Sequence, residues 1–303
     1  MGKTAFIFAG QGAQKPGMGK DLYDSIPAAA QVFDRADKVR EKTSWQCFEA
    51  DEATLKETKN TQPCIYTMDY AVAEALREAG VKADMVAGYS LGELAALAFA
   101  GAFTFEEGLR LVSERGALMQ TASEACETGM TAVLKLSDEK VEEICGRYNQ
   151  VYPVNFNCDG QVSVAGVKDE LGEFNQAVKA EGGLPRVLQV SGAFHSPFMA
   201  EAAEGFAGVL ESAEISETEI PAYSNYTSKA YEGDYRDMLV KQISNPVRWK
   251  NEIRNMIEAG VDTFVEVGPG NALAKMVTRI SKDVTVISVN SAESFREAVE
   301  RIG

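Results

Sequence analysis

Histidine is nearly absent from this chain: of its 303 residues only His195 carries an imidazole. Metal centres built from several histidines are thereby excluded, as is the HExxH protease pattern, which needs two. Cysteine is sparse as well. Cys47, Cys64, Cys126, Cys145 and Cys158 are odd in number, widely spaced and never in a CxxC pair, so they suggest neither a zinc site nor a disulfide framework, and buried free thiols are expected. No apolar run approaches the roughly 20 residues that span a bilayer. The opening MGKTAFIFAGQG has too short an apolar stretch for a secretory signal. A cytoplasmic protein with no membrane association is expected. Positive charge is short too: 30 Lys and Arg face 45 Asp and Glu, a formal charge of −15 that opposes binding to nucleic acid.

What remains is an ordinary globular composition, 45% hydrophobic and 25% charged, long enough for one or two domains. TAFIFA (4 to 9) reads as a buried strand entering a glycine-rich turn, and 63 to 79 as a helix with Pro63 near its start. MVAGYS then GELAALAFA, and later TFVEVGPG then NALAKMVTRI, repeat the order strand, turn, helix, with VTVISV as a further short strand. This alternation predicts an α/β fold around a mostly parallel sheet covered on both faces. From 131 to 190 the order changes to strand, helix, strand, strand, helix, strand, with Asp159-Gly160 as the hairpin signal between the middle strands. That βαββαβ order is the ferredoxin-like arrangement. It predicts a small domain over 124–190 inserted into a discontinuous larger domain, 1–123 and 191–303.

Gly88-Tyr89-Ser90-Leu91-Gly92 matches GxSxG between a predicted strand and a predicted helix, the context in which such a turn presents a nucleophilic hydroxyl near unpaired helix N–H groups. A bare GxSxG fits a capped turn equally well. A serine needs a base. His195 lies just past the last strand of the insert and before Ser196-Pro197, a plausible helix cap and first helical residue, which puts it in a loop where the two domains meet. Alone it would read as a structural histidine; beside an elbow serine it reads as the base. In LRLVSERGALMQ (109 to 120), a helical wheel places Arg115 amid Leu109, Leu111, Val112, Gly116, Leu118 and Met119. A guanidinium there must meet an internal carboxylate or a bound anion, and its planar fork suits a substrate carboxylate. GQGAQKPGMG (10 to 19) fails both nucleotide-loop patterns, with Lys15 at the third glycine position and Met18 where a lysine is required, yet its backbone, Gln11 in particular, could supply an oxyanion contact. EVGPGNAL reads as a turn.

FAGQGAQKPGMG, TQP, GYSLGE, ERGALMQ, VNFNCDGQV, GAFHSP, NPVRW and EVGPG, in that order along nearly the full chain, resemble the malonyl-CoA:acyl carrier protein transacylases of fatty acid synthesis. The resemblance implies an α/β-hydrolase-like large domain, Ser90 as nucleophile, His195 as base and Arg115 as the clamp for the malonyl carboxylate. It further implies an oxyanion hole from the backbone amides of Gln11 and Leu91, and a backbone carbonyl of Gln242 that orients His195. Phe194 looks like the malonyl-selective pattern of related acyltransferase domains, and Met119 is expected at the substrate. Tyr89 departs from the family, where histidine usually precedes the nucleophile; the change should alter packing and leave Ser90 and His195 in place. No cofactor is expected beyond the coenzyme A thioester as substrate and the phosphopantetheine of acyl carrier protein. The chain is expected to act as a monomer and outside a larger assembly. Lys179, Arg186, Lys275, Arg279 and Lys282 are the candidate docking surface for that acidic partner. A serine esterase or thioesterase, and a non-catalytic carrier-protein-binding subunit, are the competing readings.

Overall fold

The computed structural model describes residues 2–190 and 192–303. Ser191, with which the returning segment of the larger predicted domain begins, lies outside the described residues. Nine strands are present among those described: β1 (Lys3–Phe8), β2 (Met85–Gly88), β3 (Thr128–Leu134), β4 (Val151–Cys158), β5 (Gln161–Val167), β6 (Leu184–Val187), β7 (Ala222–Tyr223), β8 (Val261–Val267) and β9 (Thr285–Val289). They form two sheets.

The first sheet has the order β7-β2-β1-β8-β9, and its pairings are parallel. Its central strand shows why a continuous apolar run was needed. Phe6 and Phe8 enter one hydrophobic cluster while Ala5 and Ile7 enter another, so both faces are covered and the buried stretch Ala5–Phe8 is apolar throughout.

Helix Thr58–Glu78 starts five residues before the expected Pro63, which therefore stands inside the helix. A proline there forfeits one ladder hydrogen bond. The helix tolerates this because it is buried along most of its length, chiefly against helices Pro27–Val39 and Phe105–Glu124. Its early start places Gln62 on the second turn, which the active site uses. Helix Phe105–Glu124 is capped by Thr104, whose hydroxyl accepts from Glu107 N–H at 3.1 Å. The apolar face read from the wheel is buried as expected, except that Leu118 is only half-buried.

The second sheet, β4-β5-β3-β6, is antiparallel throughout. Helices Asp138–Cys145 and Lys168–Ala180 close one face over Val133, Ile144, Phe174 and Val178. This sheet is fastened to the rest of the chain at β4: Phe156 N–H donates to Val247 O and Val247 N–H to Val154 O, each at 2.9 Å. Ion pairs Lys250–Asp138 and Arg254–Asp159 reinforce the seam. Four of the five cysteines are buried and free as expected; Cys126 is free but exposed, because it lies in the connection between helix Phe105–Glu124 and β3.

Candidate active site

The turn after β2 is possible only with its two glycines. A Cβ on Gly88 would stand 2.0 Å from the backbone of Gly92, and one on Gly92 would stand 2.4 Å from Phe8 O. Between them Ser90 is held at φ 55°, a left-handed conformation that costs a non-glycine residue about 1–3 kcal/mol. Its N–H donates to Asn225 Oδ1 at 2.7 Å, which secures the strained turn. Gly10 brings the glycine-rich loop after β1 against the same turn, since a Cβ there would meet Tyr89 O at 2.6 Å.

His195 meets Ser90 from the far side of the sequence, and it too has a positive φ, 59°. Nε2 lies 2.7 Å from Ser90 Oγ and Nδ1 lies 2.8 Å from Gln242 O. A carbonyl can only accept, so Nδ1 carries the proton and Nε2 presents its lone pair to the serine hydroxyl. Ser196 holds the loop: its hydroxyl donates to Ala193 O at 2.6 Å and accepts from Phe198 N–H at 3.3 Å. Burial, and then the charge of Arg115, lower the imidazole pKa to about 3. The ring is therefore neutral and able to accept a proton at any ordinary pH. The single-turnover acylation rate at saturating substrate should accordingly be flat from pH 5 to 8, with imidazole protonation costing activity only as pH falls far below that range. A fall centred near about 6.5, the ordinary histidine value, would contradict this geometry.

Arg115 is fully buried behind the nucleophile. Nη1 donates to Gln62 Oε1 at 2.8 Å, and Nη2 donates to Gln242 Oε1 at 2.7 Å and to Ser90 Oγ at 3.2 Å. Nε has no partner. The Nε–Nη2 edge of the fork thus combines an unpaired donor with a long bond, and it is the edge on which a carboxylate can be received. Burial lowers its pKa to about 10, which still leaves it charged at neutral pH.

A cleft of about 260 Å³ between the two sheets is lined by Gln11, Ser90, Met119, Phe194, His195 and Glu266 among others. Leu91 is the buried N-cap of helix Gly92–Phe99, so its N–H stands outside the helical ladder and beside Ser90. Arg115 and Gln242 are not among the lining residues and lie directly behind Ser90 and His195. Tyr89 packs edge-on against Trp249 with centroids 5.6 Å apart, and its hydroxyl donates to Asn157 Oδ1 of β4 at 2.6 Å. It ties the elbow to the second sheet and leaves the Ser90–His195 pair intact.

All five candidate docking cations, Lys179, Arg186, Lys275, Arg279 and Lys282, are exposed. Arg279 is engaged, its Nη1 donating to Gln161 Oε1 at 2.8 Å, and so it braces helix Ala272–Ile280 against β5.

Sequence reasoning missed the layer behind the elbow. Gln242 uses its side chain as well as its carbonyl: Nε2 donates to Ser90 O at 2.7 Å and to Glu93 Oε2 at 2.9 Å. Asn225 donates to Gly88 O at 2.7 Å and to Glu252 Oε2 at 2.9 Å. Gln62 and Glu93 lie within TQP and GYSLGE, but nothing in those short strings states what they touch. Asn225, in a polar loop after β7, carries no local signal.

An acyl transferase domain model matches residues 5–296. The malonyl CoA-acyl carrier protein transacylase of Bacillus subtilis (strain 168) is 36% identical over 310 residues, covering 100% of this chain and 98% of the relative. That of Staphylococcus aureus (strain MSSA476) is 35% identical, covering 98% of each. Among solved structures, the transacylase of the same name from Clostridium perfringens superposes with a TM-score of 0.95 at 37% identity, covering 99% of this chain and 96% of the other. A malonyl-transacylase solved in complex with its type II PKS acyl-carrier protein gives a TM-score of 0.95 at 34% identity, with 99% of each covered.

Proposed function

Because the chain belongs to the acyl transferase domain family, we propose that it transfers the malonyl group of malonyl-CoA to the phosphopantetheine thiol of acyl carrier protein through a malonyl-serine. The observation that carries the reading is the meeting of Ser90 Oγ with both His195 Nε2, at 2.7 Å, and Arg115 Nη2, at 3.2 Å. His195 takes the Ser90 proton as Oγ attacks the thioester carbonyl. The developing oxyanion is received by the N–H groups of Leu91 and Gln11, and His195 returns the proton to the leaving coenzyme A thiol. The carrier-protein thiol then attacks the malonyl-serine by the same path reversed. Gln242 fixes the tautomer of His195, so no acidic third member is needed. Arg115 receives the malonyl carboxylate, while Phe194 and Met119 limit the room beside it.

The order β4-β5-β3-β6 supports the reading of 124–190 as a ferredoxin-like insert in an α/β-hydrolase-like domain formed by 1–123 and 191–303. We take the protein to be a cytoplasmic monomer that needs no cofactor beyond its thioester substrates and the phosphopantetheine of its partner. No helix among the described residues is long and apolar enough to cross a membrane. Lys179, Arg186, Lys275, Arg279 and Lys282, all exposed, are the candidate docking cations.

Incubation with malonyl-CoA and holo acyl carrier protein tests the assignment. Malonyl carrier protein is the expected product; free malonate in its place would identify a thioesterase, and neither product would leave only a binding subunit.

A further inference from the structure

Two opposite charges are sealed behind the nucleophile, and only one of them has a place in the mechanism above. Glu93 and Arg115 are both fully buried. They are joined through one amide: Arg115 Nη2 donates to Gln242 Oε1 at 2.7 Å, and Gln242 Nε2 donates to Glu93 Oε2 at 2.9 Å. Glu93 also accepts from the Tyr231 hydroxyl and from Asn225 N–H at 3.3 Å. Each of these contacts donates to Glu93, an arrangement suited to a carboxylate rather than to a carboxylic acid. Because Glu93 draws the NH₂ end of Gln242, the amide oxygen must face Arg115. The carboxylate and the Ser90 carbonyl, which accepts from the same NH₂ at 2.7 Å, together set the orientation of the guanidinium.

The ionisable groups that face Glu93 are Arg115 from helix Phe105–Glu124, Tyr231 from the segment after β7 and Glu252 from helix Trp249–Glu258. Burial and the neighbouring Glu93 push Glu252 well above the usual carboxylate range, and burial and Glu93 likewise raise Tyr231. Within this cluster Arg115 is the buried cation, and Glu93 is the carboxylate joined to it through Gln242. A malonyl carboxylate on Arg115 would bring a second anion into a region that solvates neither, and such a charge is relieved most readily by protonating the weaker partner.

We propose that Glu93 is the counter-ion of Arg115 in the free enzyme, and that it takes up a proton from solvent when the substrate carboxylate occupies the guanidinium. This rests on the reading of Arg115 as the carboxylate partner. Burial already raises the Glu93 pKa to about 7, and the substrate carboxylate would raise it further by competing for the same guanidinium. The Tyr231 hydroxyl, which donates to the carboxylate, can turn and accept from the acid. Glu93 is a positioning and charge-balancing residue and touches no reacting atom.

Calorimetry of the full-length Ser90→Ala protein, which binds thioester without turnover, tests the proposal at pH 8 in two buffers of different ionisation enthalpy. Malonyl-CoA should bind with measurably more proton uptake than acetyl-CoA, up to about 0.9 proton, the fraction ionised one unit above a pKa of about 7 and so the ceiling on uptake. Its Kd should weaken by up to about tenfold per unit above pH 7. Both effects should vanish in Ser90→Ala/Glu93→Gln, whose second substitution removes charge and keeps shape. Preferential malonyl-CoA binding without extra proton uptake, or uptake that persists without Glu93, would overturn the role of Glu93 alone. Malonyl-CoA binding no tighter than acetyl-CoA would overturn the reading of Arg115 beneath it. Should the Glu93→Gln protein not fold, Ser90→Ala/Tyr231→Phe, which removes a donor to the Glu93 carboxylate, should take up less proton at pH 8 than Ser90→Ala; unchanged uptake would place the proton on another group.

Discussion

Replacing Ser90 with alanine is expected to abolish the malonyl-enzyme and to lower carrier-protein malonylation by at least about ten-thousand-fold. The size follows from geometry: among the described residues no other hydroxyl stands within hydrogen-bond reach of His195 Nε2, the only imidazole nitrogen left free to act as a base. The amides of Leu91 and Gln11 would still polarise a bound carbonyl, so residual activity above solvent is compatible with the account, but a covalent adduct is not. The fold should survive, because the Ser90 backbone keeps its bonds to Asn225 and Gln242, and the two partners of its hydroxyl, His195 and Arg115, keep other hydrogen bonds. Unchanged thermal unfolding with lost turnover is the expected pair of results. Retained turnover would move the chemistry elsewhere.

Replacing Arg115 with alanine should change what the enzyme accepts more than how fast it reacts. Malonyl-CoA is expected to lose about a hundred- to ten-thousand-fold in kcat/KM, the scale on which a buried polar site discriminates, while acetyl-CoA holds or gains. For malonyl-CoA the variant removes a bidentate partner and leaves a carboxylate unpaired in a buried site. With acetyl-CoA there is no charge to leave unpaired, and the unsatisfied Nε of the guanidinium disappears. Competition between the two thioesters, read as malonyl- against acetyl-enzyme, measures the switch. Equal loss on both substrates would show Arg115 to be only a structural brace between Gln62 and Gln242.

Much of this site was legible along the chain because its residues sit where local rules are strict. Gly88 and Gly92 exclude side chains for steric reasons, a cation in an apolar helical face demands a partner, and a lone histidine beside a proline-capped turn has few roles. The alternating order of strands and helices likewise foretold both sheets, including the hairpin at Asp159-Gly160. What stayed hidden depends on distance in space. Glu93 on a helix, Asn225 in a loop, Gln62 two turns into a helix that begins before its proline, and the side chain of Gln242 converge only when four separate segments fold together.

The central claim is the chemical event at Ser90. Intact-mass measurement of the wild-type protein after mixing with malonyl-CoA, followed by peptide mapping, should show one malonyl group on the peptide that contains Ser90, removed on addition of holo acyl carrier protein with the group recovered on its thiol. An unmodified protein that nonetheless forms malonyl carrier protein, or an adduct mapped to any other residue, would contradict the account.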